Sequence, residues 1–291
     1  MFSATAEQFA AEVRYLRDHF RLVGPAELPT LADPDYTPDE PTAVITFDDG
    51  YRDNIEYAFP ILQDLHAPAA FFITTDFIDR PRLPWWDHVT FALAQTEVEQ
   101  LVLEHPEPLT LDLRPDSHPA SSSRLIDAYL HAAPDDEPRN LDHLDERAGL
   151  DVDSPTLGRR LFMGWDDVRA LDRAGMIVGS HGVAHRNFAR RSERAQATGL
   201  TESKQILERE LGHEITAFAY PYGGPDDFTD ATVRLAREAG YRLGFSLKNR
   251  VDPPGSHHPL TIPRLVIGSS DSPTLFRARM CLTAAFGSSF L

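Results

Sequence analysis

The sequence predicts an α/β fold of barrel-like form. Short runs that are apolar throughout recur along the chain and alternate with stretches of helical periodicity. That is the pattern of strands buried on both faces of a parallel sheet. The repeats are many, and neither a G-x-G-x-x-G nor a P-loop follows any strand, so a barrel is favoured over an open doubly wound sheet. Taking the elements in order, Phe9, Val13, Leu16 and Phe20 recur at helical spacing and predict a helix over 5–20. Ala-Val-Ile-Thr-Phe at 43–47 predicts a strand that ends abruptly in Asp48-Asp49-Gly50. A helix over 54–66, a strand over 69–74 and a helix over 165–174, stopped by Gly175, come next. A strand over 176–179 runs into Ser180-His181, and a long helix covers 192–211. A strand over 215–219 leads into Tyr220-Pro221-Tyr222-Gly223-Gly224, and a helix over 227–239 ends at Gly240. Runs at 243–247 and 260–267 predict the last strands.

Residues 80–160 break this rhythm. They are rich in Pro, Asp and Ser, with helical pieces near 85–95, 122–133 and 141–149. The expectation is one domain over 1–291 carrying an acidic helical insertion at about 80–160. The insertion reads either as a lid or as a solvated bundle with no part in the chemistry. Trp85-Trp86-Asp87 opens it, a pair of aromatics that is either a sugar platform or a buried anchor.

The net charge of -17 argues against nucleic acid and anionic membranes as partners, because both would repel the chain. Residues 97–156 hold 15 Asp or Glu against 4 Arg, so the acidity belongs mainly to the insertion. The single cysteine, Cys281, allows no internal disulfide. No apolar run approaches the ~20 residues of a membrane span. Glu7, Glu12 and Arg14 make the first helix amphipathic, unlike the apolar stretch of a signal peptide. A cytoplasmic location is therefore expected, with association to the cell envelope left open.

Two constellations carry chemistry. Thr46-Phe47-Asp48-Asp49-Gly50 sets adjacent carboxylates at the C-terminal end of a strand, where ligands of α/β folds gather. Successive strand side chains point to opposite sides, so one Asp can bind a metal while the other serves as a base. Ser180-His181-Gly182-Val183-Ala184-His185 follows another strand, and its histidines at i and i+4 share one face if the segment is helical. Each motif alone has an ordinary reading, as a strand-ending turn or as two helix-start histidines. Together, two His and one carboxylate make a three-ligand site with positions open for water and substrate.

These segments, with Phe218-Ala219-Tyr220-Pro221-Tyr222-Gly223, resemble the polysaccharide deacetylase family, also called the NodB-homology domain or carbohydrate esterase family four. The resemblance covers roughly residues 40–80 and 160–270. It implies a distorted or incomplete NodB-type barrel and a hydrolase that removes N-acetyl groups from an N-acetylated carbohydrate. By the same resemblance Asp48 is the base, and Asp49, His181 and His185 hold a divalent metal, Zn²⁺ by default, with Co²⁺, Ni²⁺ or Mn²⁺ also fitting such donors. The Tyr222 backbone N–H would face the oxyanion, and Tyr220 and Tyr222 would line the sugar groove or pack in the core. A same-fold hydrolase of another non-peptide C–N bond and a non-catalytic carbohydrate binder are the other two readings.

The chain departs from the family pattern in three places. Many members have an Arg two residues before the Pro of the third motif, and it orients the base; here that position is Ala219. Arg264, in Ile262-Pro263-Arg264-Leu265, is the expected replacement, paired with Asp48. The family's usual general acid is a His in a late Leu-x-His motif, which is missing. His257 and His258 are the nearest late histidines, and otherwise Asp48 itself would return the proton. Relatives often carry an extra strand and a His-containing segment before the first helix; either the start is trimmed here or the fold tolerates the loss, which makes an incomplete barrel one expectation beside a distorted one.

Overall fold

The computed structural model describes residues 4–33, 35–133, 136–251, 258–268 and 271–286. The chain forms two compact units, one of Met1–Asp79 with Phe162–Leu291, the other of Arg80–Leu161. In chain order, α1 (Ala6–His19), β1 (Arg21–Leu22), β2 (Thr42–Ala43) and β3 (Thr46–Asp49) open the first unit. A π-helical turn, Asn54–Ala58, runs into α2 (Phe59–Asp64), followed by β4 (Ala70–Ile73) and the short α3 (Thr75–Asp79). The second unit holds α4 (Trp85–Gln95), β5 (Gln100–Leu103), β6 (Leu109–Asp112), α5 (His118–His131), α6 (Glu137–Ala148) and α7 (Ser154–Leu161). The chain returns to the first unit with α8 (Trp165–Arg173), β7 (Ile177–Ser180), α9 (Glu193–Leu211) and β8 (Ala217–Ala219). It ends with α10 (Asp230–Glu238), β9 (Leu243–Ser246), β10 (Ile262–Pro263) and α11 (Pro273–Phe286).

The first unit is built on a six-stranded sheet in the order β10-β9-β8-β7-β4-β3, with every pairing parallel. It is a curled half-barrel. Among the described residues β1 and β2 pair only with each other, and the row of strands is not closed between β3 and β10. β4, β7, β8 and β9 are buried along their whole length. Their side chains alternate between two apolar layers, as the two-residue strand period requires. Phe71, Ile73, Val178 and Phe218 pack with helical Leu62, Leu171, Leu200, Leu207 and Leu235. Ala70, Phe72, Ile177, Ala217, Leu243 and Phe245 face the other way, against Val23 and Leu28. Side chains fix the helix starts, with Ser192 accepting from the Ala195 N–H of α9 and Thr229 from the Thr232 N–H of α10. The apolar run at 260–267 yields less strand than expected: a 3₁₀ turn, Pro259–Thr261, and the two residues of β10.

The second unit has its own core, in which Trp85, Val89 and Leu93 meet Leu101, Leu103, Leu109, Leu111, Leu125 and Leu144. It is not purely helical as expected. β5 and β6 form an antiparallel hairpin, and Leu101, Leu103, Leu109 and Leu111 point inward from it. Trp85 is the buried anchor of this unit, stacked on Tyr129 at 5.9 Å, and so not an open sugar platform.

One close approach tests the sheet of the first unit. A Cβ at Gly179 of β7 would lie 2.6 Å from Phe72 Cδ1 and 2.9 Å from the Ala217 carbonyl. Gly179→Ala should cost about 1–3 kcal/mol by overpacking. The check is the urea midpoint, and an unchanged midpoint would show that β4 can yield.

Candidate active site

The site lies where the parallel strands end. β3 ends in Asp48 and Asp49, β7 runs into His181, β8 into Tyr220-Pro221-Tyr222, and β10 into Arg264. Strand alternation would send the two aspartates to opposite faces, and the structure departs from that. Asp49 takes a left-handed backbone conformation at φ 72, which swings its carboxylate round. His181 Nε2 consequently lies 3.8 Å from Asp48 Oδ2 and 3.6 Å from Asp49 Oδ1.

The two histidines do not converge on a helix, contrary to one sequence expectation. Residues 181–187 form an irregular turn. Gly182 at φ 77 and His185 at φ 49 reverse the chain so that the rings meet edge to face, 4.9 Å apart. Gly182 supplies one left-handed position at no steric cost, whereas His185 adopts one against its Cβ. Three residues hold the turn: the Thr75 and Asp76 amides donate to the Gly182 and Val183 carbonyls, and the Gly182 amide donates to Ser180 Oγ.

Asp49, His181 and His185 each offer one ligand atom, all within 4.8 Å of one another. Among the described residues this is the one such group of His, Cys, Asp or Glu. Asp49 Oδ1 is 3.6 Å from His181 Nε2 and 3.5 Å from His185 Nε2. Ligand bonds of about 2.1 Å at tetrahedral angles place neighbouring donors about 3.4 Å apart, so the spacing suits a divalent cation. Tautomer agrees. His181 Nδ1 lies 2.8 Å from the Ala219 carbonyl, and donating there leaves the Nε2 lone pair facing the carboxylates.

Arg264 and Asp48, 216 residues apart, form a two-pronged ion pair with both N···O distances at 2.7 Å. Arg264 also donates to Thr46 Oγ1 and the Ser246 carbonyl, and its guanidinium lies over the Phe72 ring. Burial alone would raise the Asp48 carboxyl. The Arg264 charge, the two histidines and the hydrogen bonds from Arg264 outweigh it and hold the pKa at about 2. Burial pushes both histidines down, His185 to about 4, against the opposite pull of Asp48.

The remaining candidates separate. Tyr222, at φ 63, sets its ring edge to face against His185 at 4.7 Å. Tyr220 does not line a groove. Its ring is fully buried against Phe228, and its hydroxyl donates to the Leu260 carbonyl. His258 Nδ1 accepts from the Leu260 amide as the cap of the 3₁₀ turn, and His257 lies outside the described residues. Sequence reasoning missed Asp227, which ties the turn after His185 to the turn after Tyr222. Only its spacing from Gly224 hinted at it.

Residues 35–244 match the family model described as "Polysaccharide deacetylase". The chain belongs to the polysaccharide deacetylase family. It is 28% identical over 241 residues to the Bacillus subtilis (strain 168) protein YxkH, assigned by name to the polysaccharide deacetylases. That match covers 82% of this chain and 57% of the relative, so the chain spans little more than half of YxkH's length. The deacetylase PplD of Streptococcus pyogenes, solved with acetate, superposes with a TM-score of 0.62 at 17% identity, over 96% of this chain and 88% of that one. IcaB from Ammonifex degensii superposes at 0.59 with 19% identity, over 98% and 93%. At these identities the two structures establish the fold.

The depressed histidines set a pH dependence of folding. An unfolded His titrates near 6.5, while His185 stays neutral down to about 4 in the fold. Between these values the unfolded chain binds more protons, so stability of the metal-free protein should fall as pH drops from about 6.5 to about 4. His185→Asn should flatten that slope in urea titrations. A wild-type stability constant over this window would contradict the burial argument.

Proposed function

We propose that the protein is a metal-dependent hydrolase that removes N-acetyl groups from an N-acetylated sugar or polysaccharide, releasing acetate and a free amine. The observation that carries this reading is the Asp49-His181-His185 cluster beside the Arg264-bound Asp48, in a chain of the polysaccharide deacetylase family. The names of its structural neighbours, one a deacetylase solved with acetate and one a de-N-acetylase from Aggregatibacter actinomycetemcomitans, support the same chemistry.

Asp49, His181 and His185 would hold the metal. Zn²⁺ suits two imidazoles and a carboxylate best, and Co²⁺, Ni²⁺ and Mn²⁺ accept the same donors. A cation bound there supplies Lewis acidity, lowering the pKa of a water and polarising the acetyl carbonyl. Asp48 is the base. It accepts one proton as water oxygen bonds to the carbonyl carbon. A carboxylate held at about 2 is a weak base, so Arg264 contributes orientation and a fixed charge state rather than proton affinity. The Tyr222 backbone N–H is assigned to the oxyanion of the tetrahedral carbon. The proton on Asp48 then passes to the nitrogen as the C–N bond breaks, which closes the cycle without a separate acid. The substrate is an N-acetylated carbohydrate, and no helix among the described residues is long and apolar enough to cross a membrane.

Three measurements test this. Wild type should carry about one equivalent of divalent metal by mass spectrometry and His185→Ala should lose it, since three protein ligands are the usual minimum for a catalytic zinc. Metal-loaded protein that releases no acetate from a panel of N-acetylated sugars and oligomers would end the deacetylase reading. Arg264→Ala should lower kcat by about a hundredfold or more, the usual share of a positioned base, and move the acid limb of the pH profile upward. Arg264→Lys keeps charge but loses the fork, so it should recover only part of the rate.

A further inference from the structure

Three of the five non-glycine residues with positive φ among the described residues sit at the site: Asp49, His185 and Tyr222. Such conformations cost on the order of 1–3 kcal/mol each and persist only where the surroundings hold them. Two of the three, His185 and Tyr222, belong to different loops, yet their rings touch at 4.7 Å. One side chain grips both loops at matching places. Asp227 Oδ1 accepts from Asn187 Nδ2 at 2.6 Å, two residues beyond His185. Its other oxygen, Oδ2, accepts from the Gly224 amide at 2.8 Å, two residues beyond Tyr222. The backbone of Asp227 repeats the link, with its carbonyl accepting from the Ala189 amide at 3.0 Å and its amide donating to the Gly224 carbonyl at 3.3 Å. Gly224 leaves this approach open, because a Cβ there would sit 2.8 Å from Asp227 Oδ2.

We infer that Asp227 is a positioning residue that locks His185 and Tyr222 into their strained conformations and thereby sets the metal affinity and the oxyanion geometry of the site. It touches neither metal ligand atoms nor the base. It acts on the two loops that carry His185 and the Tyr222 amide. Its two carboxylate oxygens take one bond each from Asn187 and Gly224, so loss of the side chain loosens both loops at once, while the backbone bonds to Ala189 and Gly224 remain. An exposed ion pair such as Arg234–Glu193 links no part of the site and serves as the control. The inference rests on the metal-site reading given above.

The test is the dissociation constant for Co²⁺, read by its visible absorption, and for Zn²⁺ by competition, on full-length protein. Asp227→Ala should weaken metal binding by about tenfold or more, the usual effect of losing an outer-sphere support. Asp227→Asn keeps an acceptor for Gly224 and exchanges an amide contact with Asn187, so it should recover most of the affinity. Glu193→Ala should leave affinity unchanged. If Asp227→Ala does not fold, Asn187→Ala, which removes one of the bonds, takes its place and should show a smaller loss of the same kind. Wild-type affinity in these variants would overturn the proposal, as would a loss that Asn fails to restore, since that would mark a folding role only. A wild type that binds neither metal would overturn the deacetylase reading together with this one, so the two failures are distinguishable.

Discussion

Parallel register sets where the chemistry of the first unit collects. Hydrogen-bonded partners run across the sheet from Asp49 to Ile73, then Ser180, Phe218 and Gly244. Every strand in this row is read in the same direction, so the loops after β3, β7 and β8 leave at one end. A slip of one residue in any strand would exchange its two apolar layers, sending Phe71 and Phe218 to the wrong side and misplacing the motif that follows. Core packing and site assembly are therefore one requirement. The buried aromatic layers hold the register, and the register delivers Asp48, Asp49, His181 and the Tyr222 loop together.

The electrostatics of the cluster follow from what is buried with what. Two carboxylates share the site with one guanidinium and two imidazoles kept neutral by burial. Arg264 is committed to Asp48 through both nitrogens. An arginine rather than a lysine suits Asp48, since its planar fork reaches both oxygens and lies over Phe72. Strain carries a cost of its own. Asp49, His185 and Tyr222 hold conformations that their side chains disfavour, and the bonds at Gly182, Asn187 and Gly224 hold the two loops that carry His185 and Tyr222.

The second unit shows where local pattern was legible and where it was overlooked. Its helices start and stop near the places that apolar spacing indicates. The hairpin was written in the sequence as well, in the alternation of Leu101, Leu103, Leu109 and Leu111, but each strand has only four residues and the segment between them carries no hairpin dipeptide. Short strands give weak periodicity, and pairing partners are what make them strands.

By itself the sequence determined the alternation of buried strands and helices, the family, and the residue types able to carry metal and acid–base chemistry. Those properties are local, since they depend on apolar spacing and on which donors follow each strand. Only the tertiary structure decided that Tyr220 belongs to the core and that Trp85 is an anchor, because burial depends on what else packs there. It alone decided that the His181–His185 segment is a strained turn rather than a helix. Asp227 escaped sequence reading for the same reason that the proximity of Arg264 to Asp48 could only be guessed. The partners of both are brought close by folding, across 40 residues in one case and 216 in the other, and no local rule encodes such distances.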